Sequence, residues 1–196
     1  FYFQKGGTWS SISSNNVSVR LMQNSIFGGG GSAIFPKNDT NYVISFLNSK
    51  VLSKIVKILN PTLNMLVGDI INSPLIFPKQ ESTKQQIDTL TQECINISKD
   101  EWDSRETSWD FTKNELLKHK LDSKLETAYN NYCQVWSEKF YKLHSNEEEL
   151  NRLFIDIYEL QDELTPDVDL KDITILKSES IINDNNELEF KADEIM

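Results

Sequence analysis

A predicted helix that ends at an Asn-Pro pair constrains the fold more than any other feature of the chain. Across residues 43–59, apolar side chains recur every three to four residues and form one face, while three lysines occupy a different stripe. Asn60-Pro61 predicts the end of this helix, because proline lacks a backbone donor and disfavours helical geometry in the residue before it. Residues 65–71, interrupted by Gly68, are predicted to form a strand. This region therefore combines helical and β structure.

Residues 1–38 are typical of short strands joined by turns, because their apolar side chains alternate loosely with Ser, Asn and Gly. The glycines at 28–31 are predicted to form a plain turn, since a phosphate-binding loop would end in Lys followed by Ser or Thr. Residues 8–16 carry hydroxyl and amide groups that can bond base edges or phosphates, but a solvated turn has the same composition. Trp9 could stack on a base or belong to the core, and Arg20 could grip guanine or remain a surface charge.

Beyond Pro78 the chain is predicted to be helical. Ser82 and Gln85 form a capping box, and the same pattern at Ser98 and Glu101 predicts that the helix breaks and restarts there. The apolar face of this helix consists of Ile87, Leu90, Cys94 and Ile97. The bulky residues that follow are predicted to be core anchors rather than a platform for a ligand, and they are Trp102, Trp109 and Phe111.

A long antiparallel helix pair is predicted next. The first helix spans residues 114–143 and would be about 45 Å long, so it needs a partner. The second spans residues 147–162 and begins at a capping box formed by Ser145 and Glu148. The apolar stripe of the first helix has a repeat close to seven residues and contains Leu117, Leu121, Leu125, Ala128, Tyr132, Val135, Phe140 and Leu143. The apolar face of the second contains Leu150, Leu153, Phe154, Ile157 and Tyr158.

The last segment of the chain is acidic and poor in aromatic residues. Ile173 and Ile175 alternate with polar residues and predict one short strand, whereas partial disorder is expected from Ser178 onward. The predicted fold class is therefore α+β and mostly α. It combines a small β-containing part, a long antiparallel helix pair and an acidic tail.

Charge is segregated along the chain. The formal net charge of the 196 residues is −10, yet residues 1–79 contain seven Lys and Arg against two Asp and carry +5, whereas residues 80–196 carry −15. A basic end on an acidic chain indicates separate functions for the two parts. Cys94 and Cys133 lie 39 residues apart and His119 and His144 lie 25 apart, so neither a disulfide framework nor a metal site is predicted. No apolar run approaches the roughly 20 residues needed to cross a bilayer.

Several motifs occur in an order that resembles a known family. The order "FLNSK…LNPTLN…VGDI", preceded by "GGTWSSISS" and followed by "ELNRLFIDIYELQDELTP", is similar to the carboxyl-terminal half of adenine-specific DNA methyltransferases. The strongest similarity is to the large methyltransferase of BREX-type phage-defence systems, the PglX family, and type IIG restriction-modification enzymes are more distant relatives. The similarity runs from about residue 2 to about residue 175. Because the chain starts at Phe1 without an initiator methionine, we expect a fragment whose parent carries its methyltransferase domain before residue 1.

This resemblance implies a function in DNA target recognition. It implies three segments, with residues 1–79 as part of the target-recognition domain, residues 80–164 as a helical platform and residues 165–196 as an acidic tail. The expected partner is double-stranded DNA, with other subunits of the defence system as further partners, a cytoplasmic location and no membrane contact. S-adenosylmethionine is the expected cofactor of the parent enzyme, and no cofactor, metal or catalytic residue is expected in this fragment. The expected DNA-binding residues are Thr8, Trp9, Ser10, Ser11, Ser13, Asn15, Arg20, Lys37, Lys50, Lys54 and Lys57.

The chemistry of methyl transfer is missing from these residues. Adenine methyltransferases hold the flipped base with an (Asn/Asp/Ser)-Pro-Pro-(Tyr/Phe) loop, but here Asn60-Pro61 is followed by Thr62 and Leu63, which cannot stack on a base. The isolated chain is therefore expected to be inactive. A Glu-x-Lys nuclease signature at residues 189–191 is short enough to arise by chance. The alternative function is a helical protein-interaction module that binds another subunit without contacting DNA, and its binding would depend little on salt.

Overall fold

The computed structural model describes residues 2–12, 18–28, 30–62 and 64–195. The chain forms two compact units. The first unit contains Phe1–Gln92 and Glu149–Pro166, and the second contains Glu93–Glu148 and Asp167–Met196. Packing thus groups the chain differently from the segments 1–79, 80–164 and 165–196, whose division by function stays a prediction. Among the described residues, no helix has the length and apolar composition that crossing a membrane requires.

The first unit begins with a three-stranded antiparallel sheet, as the alternation in residues 1–38 predicts. Its strands are β1 (Gly6–Ser10), β2 (Arg20–Met22) and β3 (Gly31–Ile34), in the spatial order β2-β1-β3. Gly6 permits the close pairing of β1 with β3, because a Cβ at this position would lie 2.2 Å from the carbonyl oxygen of Ile34.

Two helices, rather than the predicted single one, follow the sheet. They are α1 (Thr40–Asn48) and α2 (Lys50–Leu59). The backbone of Ser49 is extended, and its hydroxyl accepts a hydrogen bond from the backbone N–H of Leu52 at 3.2 Å. Ser49 therefore caps α2 and separates the two helices, since such a cap needs a non-helical backbone. The predicted end of the helical region at Asn60 is confirmed.

The strand predicted at residues 65–71 is wrong, because this segment contains helix α3 (Val67–Ile71). The Asp69 carboxylate accepts a hydrogen bond from the backbone N–H of Leu66 at 2.9 Å. This contact satisfies a donor at the start of the helix. The β-branched composition around Gly68 predicted a strand, and the capping contact explains why a single helical turn forms instead.

The core of the first unit brings distant segments together. The apolar face of residues 43–59 meets the face predicted between Leu150 and Tyr158, together with the inner face of the sheet. Its buried members are Trp9, Val19, Tyr42, Val43, Phe46, Leu47, Val51, Leu52, Met65, Ile70, Ile87, Leu153, Phe154 and Ile155.

Two long helices differ from their predicted bounds. Helix α4 (Glu81–Asp103) continues through the restart predicted at Ser98, and helix α6 (Leu125–Ile157) continues through the start predicted at Ser145. The Ser145 hydroxyl donates to the carbonyl of Lys142 at 3.0 Å within α6, instead of capping a new helix. The next residue, Asn146, is buried and donates to the Glu93 carboxylate at 2.9 Å, which stabilises a polar residue inside the helix.

The antiparallel helix pair in the second unit is formed by α4 and α6. Lys142 pairs with Glu93 at 3.1 Å, and Lys139 pairs with Asp100 at 2.8 Å. Residue numbers therefore rise along one helix where they fall along the other. The predicted pair of residues 114–143 with 147–162 is wrong, because most of both segments belongs to the single helix α6.

The predicted apolar stripe of residues 117–143 is only partly buried. Tyr132, Phe140 and Leu143 lie in the core of the second unit. In contrast, Leu117, Leu121 and Leu125 are exposed, as are Trp102 and Trp109. These five residues lie on α5 (Glu115–Lys118), at the ends of α4 and α6, or in connecting segments. The core of the second unit contains Ile97, Leu116, Tyr132, Trp136, Phe140, Leu143, Leu170, Ile173, Ile175 and Leu176.

The carboxyl-terminal segment is more regular than the partial disorder expected from its composition. A 3-10 turn (Leu170–Asp172) precedes the antiparallel strands β4 (Ser180–Ile182) and β5 (Leu188–Phe190) and helix α7 (Ala192–Ile195). The strand predicted at Ile173 and Ile175 is wrong, although both side chains are buried. The Glu179 carboxylate accepts hydrogen bonds from Arg105, just after α4, and from Tyr132 on α6, so the segment is held to both parts of the second unit.

Candidate nucleic-acid interface

Strand β1 separates the predicted contact residues onto two faces. A Cβ on Gly7 would contact the side chains of Val19, Ile34 and Ile44, so the face of Gly7 and Trp9 is the core side. Trp9 is only 3% exposed, and its indole N–H donates to the carbonyl of Met65 at 3.3 Å. Of the two roles predicted for Trp9, the structure therefore supports a core residue over a base-stacking residue, because a buried indole offers no face on which a base could stack.

The opposite face of the sheet carries the polar residues. Arg20 on the edge strand β2 pairs directly with Thr8 on β1, and opposed residues of an antiparallel pair share a face. Arg20 and Ser10 are exposed. Thr8 is half-buried, and its hydroxyl donates to the carbonyl of Ser32 at 2.9 Å, which leaves the oxygen able to accept. One guanidinium and two hydroxyls thus lie on the outer side of β1 and β2.

The end of β1 is joined to the loop that follows α2. The backbone N–H of Met65 donates to the carbonyl of Ser11 at 2.9 Å, and Ile12 forms a β-bridge with Asn64. The Asn60 side chain donates to the carbonyl of Asn64 at 2.9 Å and to the Asp69 carboxylate at 2.8 Å, which fixes the loop internally. The sequence motifs "GGTWSSISS" and "LNPTLN" are therefore neighbours in space. Ser13 and Asn15 lie outside the described residues.

The three lysines of α2 are not equally available to an anion. Lys57 is exposed and makes no ion pair with any residue that the structure describes, whereas Lys54 pairs with Glu163. Lys50 is half-buried, and its backbone N–H donates to the side chain of Asn151 at 3.0 Å. Lys37, outside the helix, is exposed. The prediction that Lys50, Lys54 and Lys57 lie on one helix is confirmed.

The positive charge of residues 1–79 is compensated within the first unit. Residues 80–92 and 149–166 belong to this unit and contribute seven carboxylates against two basic side chains, so the unit is formally neutral. Any attraction for a polyanion therefore depends on where individual cations lie, since the unit has no net positive charge.

An apolar cleft of about 420 Å³ lies beside the sheet. Its lining comes from β1, β3, the residues on either side of β3, and α3. It consists of Trp9, Phe27, Ala33, Ile34, Phe35, Val67, Ile70 and Ile71. None of these side chains is charged, whereas S-adenosylmethionine carries an amino-acid group and ribose hydroxyls that need polar partners. The cleft does not fit that cofactor, because its polar groups would lose their hydrogen bonds to water without replacement.

Comparison with known proteins agrees with the motif order. No family model matches the chain. The chain is 37% identical over 185 residues, 91% of its length, to the adenine-specific methyltransferase PglX of Lacticaseibacillus casei (strain Zhang). It is 32% identical over 174 residues, 86% of its length, to the adenine-specific methyltransferase BrxX of Escherichia coli O9:H4 (strain HS). The resemblance to PglX-type adenine-specific methyltransferases is confirmed. The matches cover 15% and 14% of those two proteins, so the chain spans a small part of their length.

Two polar residues of this PglX-like segment were missed by reasoning from the sequence. Asn48 bonds the backbone of Val19, next to Arg20, and Asn64 lies in the loop that pairs with the end of β1. Both belong to motifs that carry the resemblance, "FLNSK" and "LNPTLN". The asparagine side chains in these motifs can form hydrogen bonds with other segments, which was a signal in the sequence. The motifs did not show which segments would be the partners.

Proposed function

We propose that this chain contributes DNA target recognition to an adenine-specific methyltransferase of a phage-defence or restriction-modification system. The observation that carries the proposal is its identity to PglX and BrxX over most of its length. In this proposal the S-adenosylmethionine site and the adenine-binding loop belong to other parts of the parent protein. The chain itself supplies side chains that locate the target sequence.

The outer face of β1 and β2 is the proposed reading surface. An exposed arginine can donate two parallel hydrogen bonds to O6 and N7 of guanine, and hydroxyls can donate to or accept from base edges. Arg20, Thr8 and Ser10 provide these groups on one face of the sheet. Lys57 is proposed to contact a phosphate, because a lysine at the backbone sets position without reading sequence.

The experiment measures DNA binding by the full-length protein that carries this chain. The target duplex is first identified from the adenines that the full-length protein methylates. Affinity is then compared between this duplex and a shuffled one over a range of salt concentrations. Arg20→Ala should weaken target binding by about 1–3 kcal/mol and shuffled-duplex binding much less. Lys57→Ala, the matched change at a phosphate contact, should weaken both duplexes alike. Unchanged binding in both variants would exclude this surface from recognition.

A second candidate function is protein binding through the second unit. Trp109 is fully exposed, and Trp102, Leu117, Leu121 and Leu125 are between 52% and 80% exposed. In this proposal the five side chains, which all lie between residues 102 and 125, are covered by a protein partner. This function predicts association that persists at high salt and weakens in Trp109→Ala, whereas an exposed-polar control, Glu126→Gln, leaves it unchanged. DNA binding with a steep salt dependence and no such association would contradict it.

A further inference from the structure

The side-chain amide of Asn48 makes three hydrogen bonds at the end of α1. Its Oδ1 accepts from the backbone N–H of Val19 at 2.8 Å, and its Nδ2 donates to the carbonyl of Val19 at 2.9 Å. The same Nδ2 donates to the carbonyl of Ile44, one helical turn earlier, at 2.9 Å. Asn48 thus bonds both polar backbone groups of one residue while it is itself held by the helix.

Val19 directly precedes Arg20, the first residue of the edge strand β2. Because β2 has a neighbour on one side only, polar groups on its other side lack strand partners. An asparagine side chain presents the same acceptor and donor as a peptide unit, so Asn48 takes the place of a neighbouring strand at Val19. The Val19 side chain is also buried, at 5% exposure, and therefore fixes the strand from the core side.

We propose that Asn48 is a positioning residue for base reading by Arg20. This inference rests on the proposed recognition function and adds a residue that acts without touching DNA. A guanidinium that donates two parallel bonds tolerates little error in the position of its backbone. A strand that slips by one residue turns each side chain to the other face. Two hydrogen bonds to the residue before Arg20 oppose both changes.

The test compares four variants of the full-length protein on the target duplex and on a shuffled duplex of the same composition. Asn48→Ala removes the side-chain amide without changing charge, and Arg20→Ala removes the guanidinium that is proposed to read the base. Asn72→Ala is the matched control, since Asn72 is an exposed asparagine of the same unit. The double variant, Asn48→Ala with Arg20→Ala, measures coupling between the two sites.

Asn48→Ala is expected to lower the preference for the target duplex by roughly fivefold to a hundredfold, as Arg20→Ala does. Binding to the shuffled duplex should stay within about twofold, and the salt slope should not change. The double variant should be no worse than Arg20→Ala. A residue that serves only folding would weaken both duplexes together, so an equal loss on both, or losses that add in the double variant, overturns the inference.

Asn48→Gln provides the second variant if Asn48→Ala does not fold. It keeps the amide but lengthens the side chain by one methylene, so we expect a folded protein with reduced preference for the target. Full preference in this variant overturns the inference. Loss in Arg20→Ala with full preference in a folded Asn48→Ala overturns the inference and leaves the proposed function intact. Full preference in Arg20→Ala overturns both the reading role of Arg20 and the positioning role of Asn48.

Discussion

Lys54 on helix α2 forms an ion pair with Glu163, which lies 109 residues further along the chain. The two side chains are 34% and 54% exposed, so the pair adds less than about 1 kcal/mol to stability. Its larger consequence concerns binding, because this ammonium already has a counter-ion. Lys57 on the same helix is exposed and has no such partner among the described residues. Lys54 and Lys57 lie on one stripe of the helix, but their ammonium groups are therefore not equally available to a phosphate.

The first prediction follows from this difference. In the full-length protein, Lys57→Ala should lower the slope of log affinity against log salt by about one, since one phosphate contact is lost. The sequence alone predicts the same loss for Lys54→Ala, but the structure predicts a change in slope of less than half that size. Binding titrations over a range of salt concentrations measure both slopes. Equal losses would show that Lys54 leaves Glu163 to bind DNA.

The second prediction concerns Trp9. Because its side chain is buried in the core of the first unit, Trp9→Ala should lower the free energy of unfolding by about 3–5 kcal/mol. The control is Ile12→Ala, whose side chain is 70% exposed and whose loss should cost less than about 0.5 kcal/mol. Urea unfolding followed by circular dichroism measures both. If Trp9→Ala were as stable as the unmodified protein but bound DNA more weakly, the indole would belong to the DNA-binding surface and not to the core.

A third prediction tests the division of the long apolar stripe. Leu121 is 80% exposed, so Leu121→Ala should change the free energy of unfolding by less than about 0.5 kcal/mol. Phe140 is 2% exposed in the core of the second unit, and Phe140→Ala should cost about 3–5 kcal/mol. The same urea experiment compares them. Similar costs for the two changes would mean that Leu121 is covered in solution.

The fourth prediction concerns Glu147 on α6. Burial, with a smaller contribution from the nearby Asp172 carboxylate, raises the pKa of Glu147 to about 7 from the ordinary value of 4.5. Between these two pH values the folded state holds a proton that the unfolded state has released. The contribution of Glu147 to the free energy of unfolding therefore falls as pH rises through this window and is constant above it. Glu147→Gln should remove this fall and stabilise the protein at pH 8 by on the order of 3 kcal/mol.

Unfolding measured from pH 4 to pH 8 checks this prediction. The exposed Glu126 lies on the same helix, and Glu126→Gln serves as the control that should keep the pH dependence of the unmodified chain. A Glu147→Gln protein whose stability still falls between pH 4.5 and pH 7 would assign the titration to another group.

The fifth prediction is that the isolated chain transfers no methyl group. The cleft beside the sheet lacks polar partners for S-adenosylmethionine, and Asn60-Pro61-Thr62 lacks the aromatic residue that adenine stacking needs. Incubation with radiolabelled S-adenosylmethionine and mixed-sequence DNA should leave the DNA unlabelled, with the full-length protein as the positive control. Labelled adenine produced by the isolated chain would contradict this assignment of functions.

Local patterns were sufficient for several elements of the fold. The apolar period of residues 43–59, the stop at Asn60-Pro61 and the alternation in residues 1–38 predicted helical and strand regions that the structure contains. Such patterns succeed because helix and strand periods act over a few neighbouring residues. The order of several motifs was likewise enough to identify the PglX resemblance, which the two relatives confirm.

Tertiary contacts decided the features that local patterns misjudged. Ser145 has the sequence of a helix start, yet α6 continues through it, and the next residue donates to Glu93, 53 positions away. The five residues of α3 have a strand-like composition but begin at a cap made by Asp69. A local pattern states what a segment can form, whereas burial and partners determine which alternative has the lower free energy.

The candidate interface shows the same division. The polar and basic residues of residues 1–79 can be read directly from the sequence, and their chemistry predicted Arg20 as a base reader. The burial of Trp9, the pairing of Arg20 with Thr8 and the counter-ion of Lys54 became visible only in the tertiary structure. These outcomes depend on contacts between residues 12 to 109 positions apart, and no local period encodes which distant side chain will meet which.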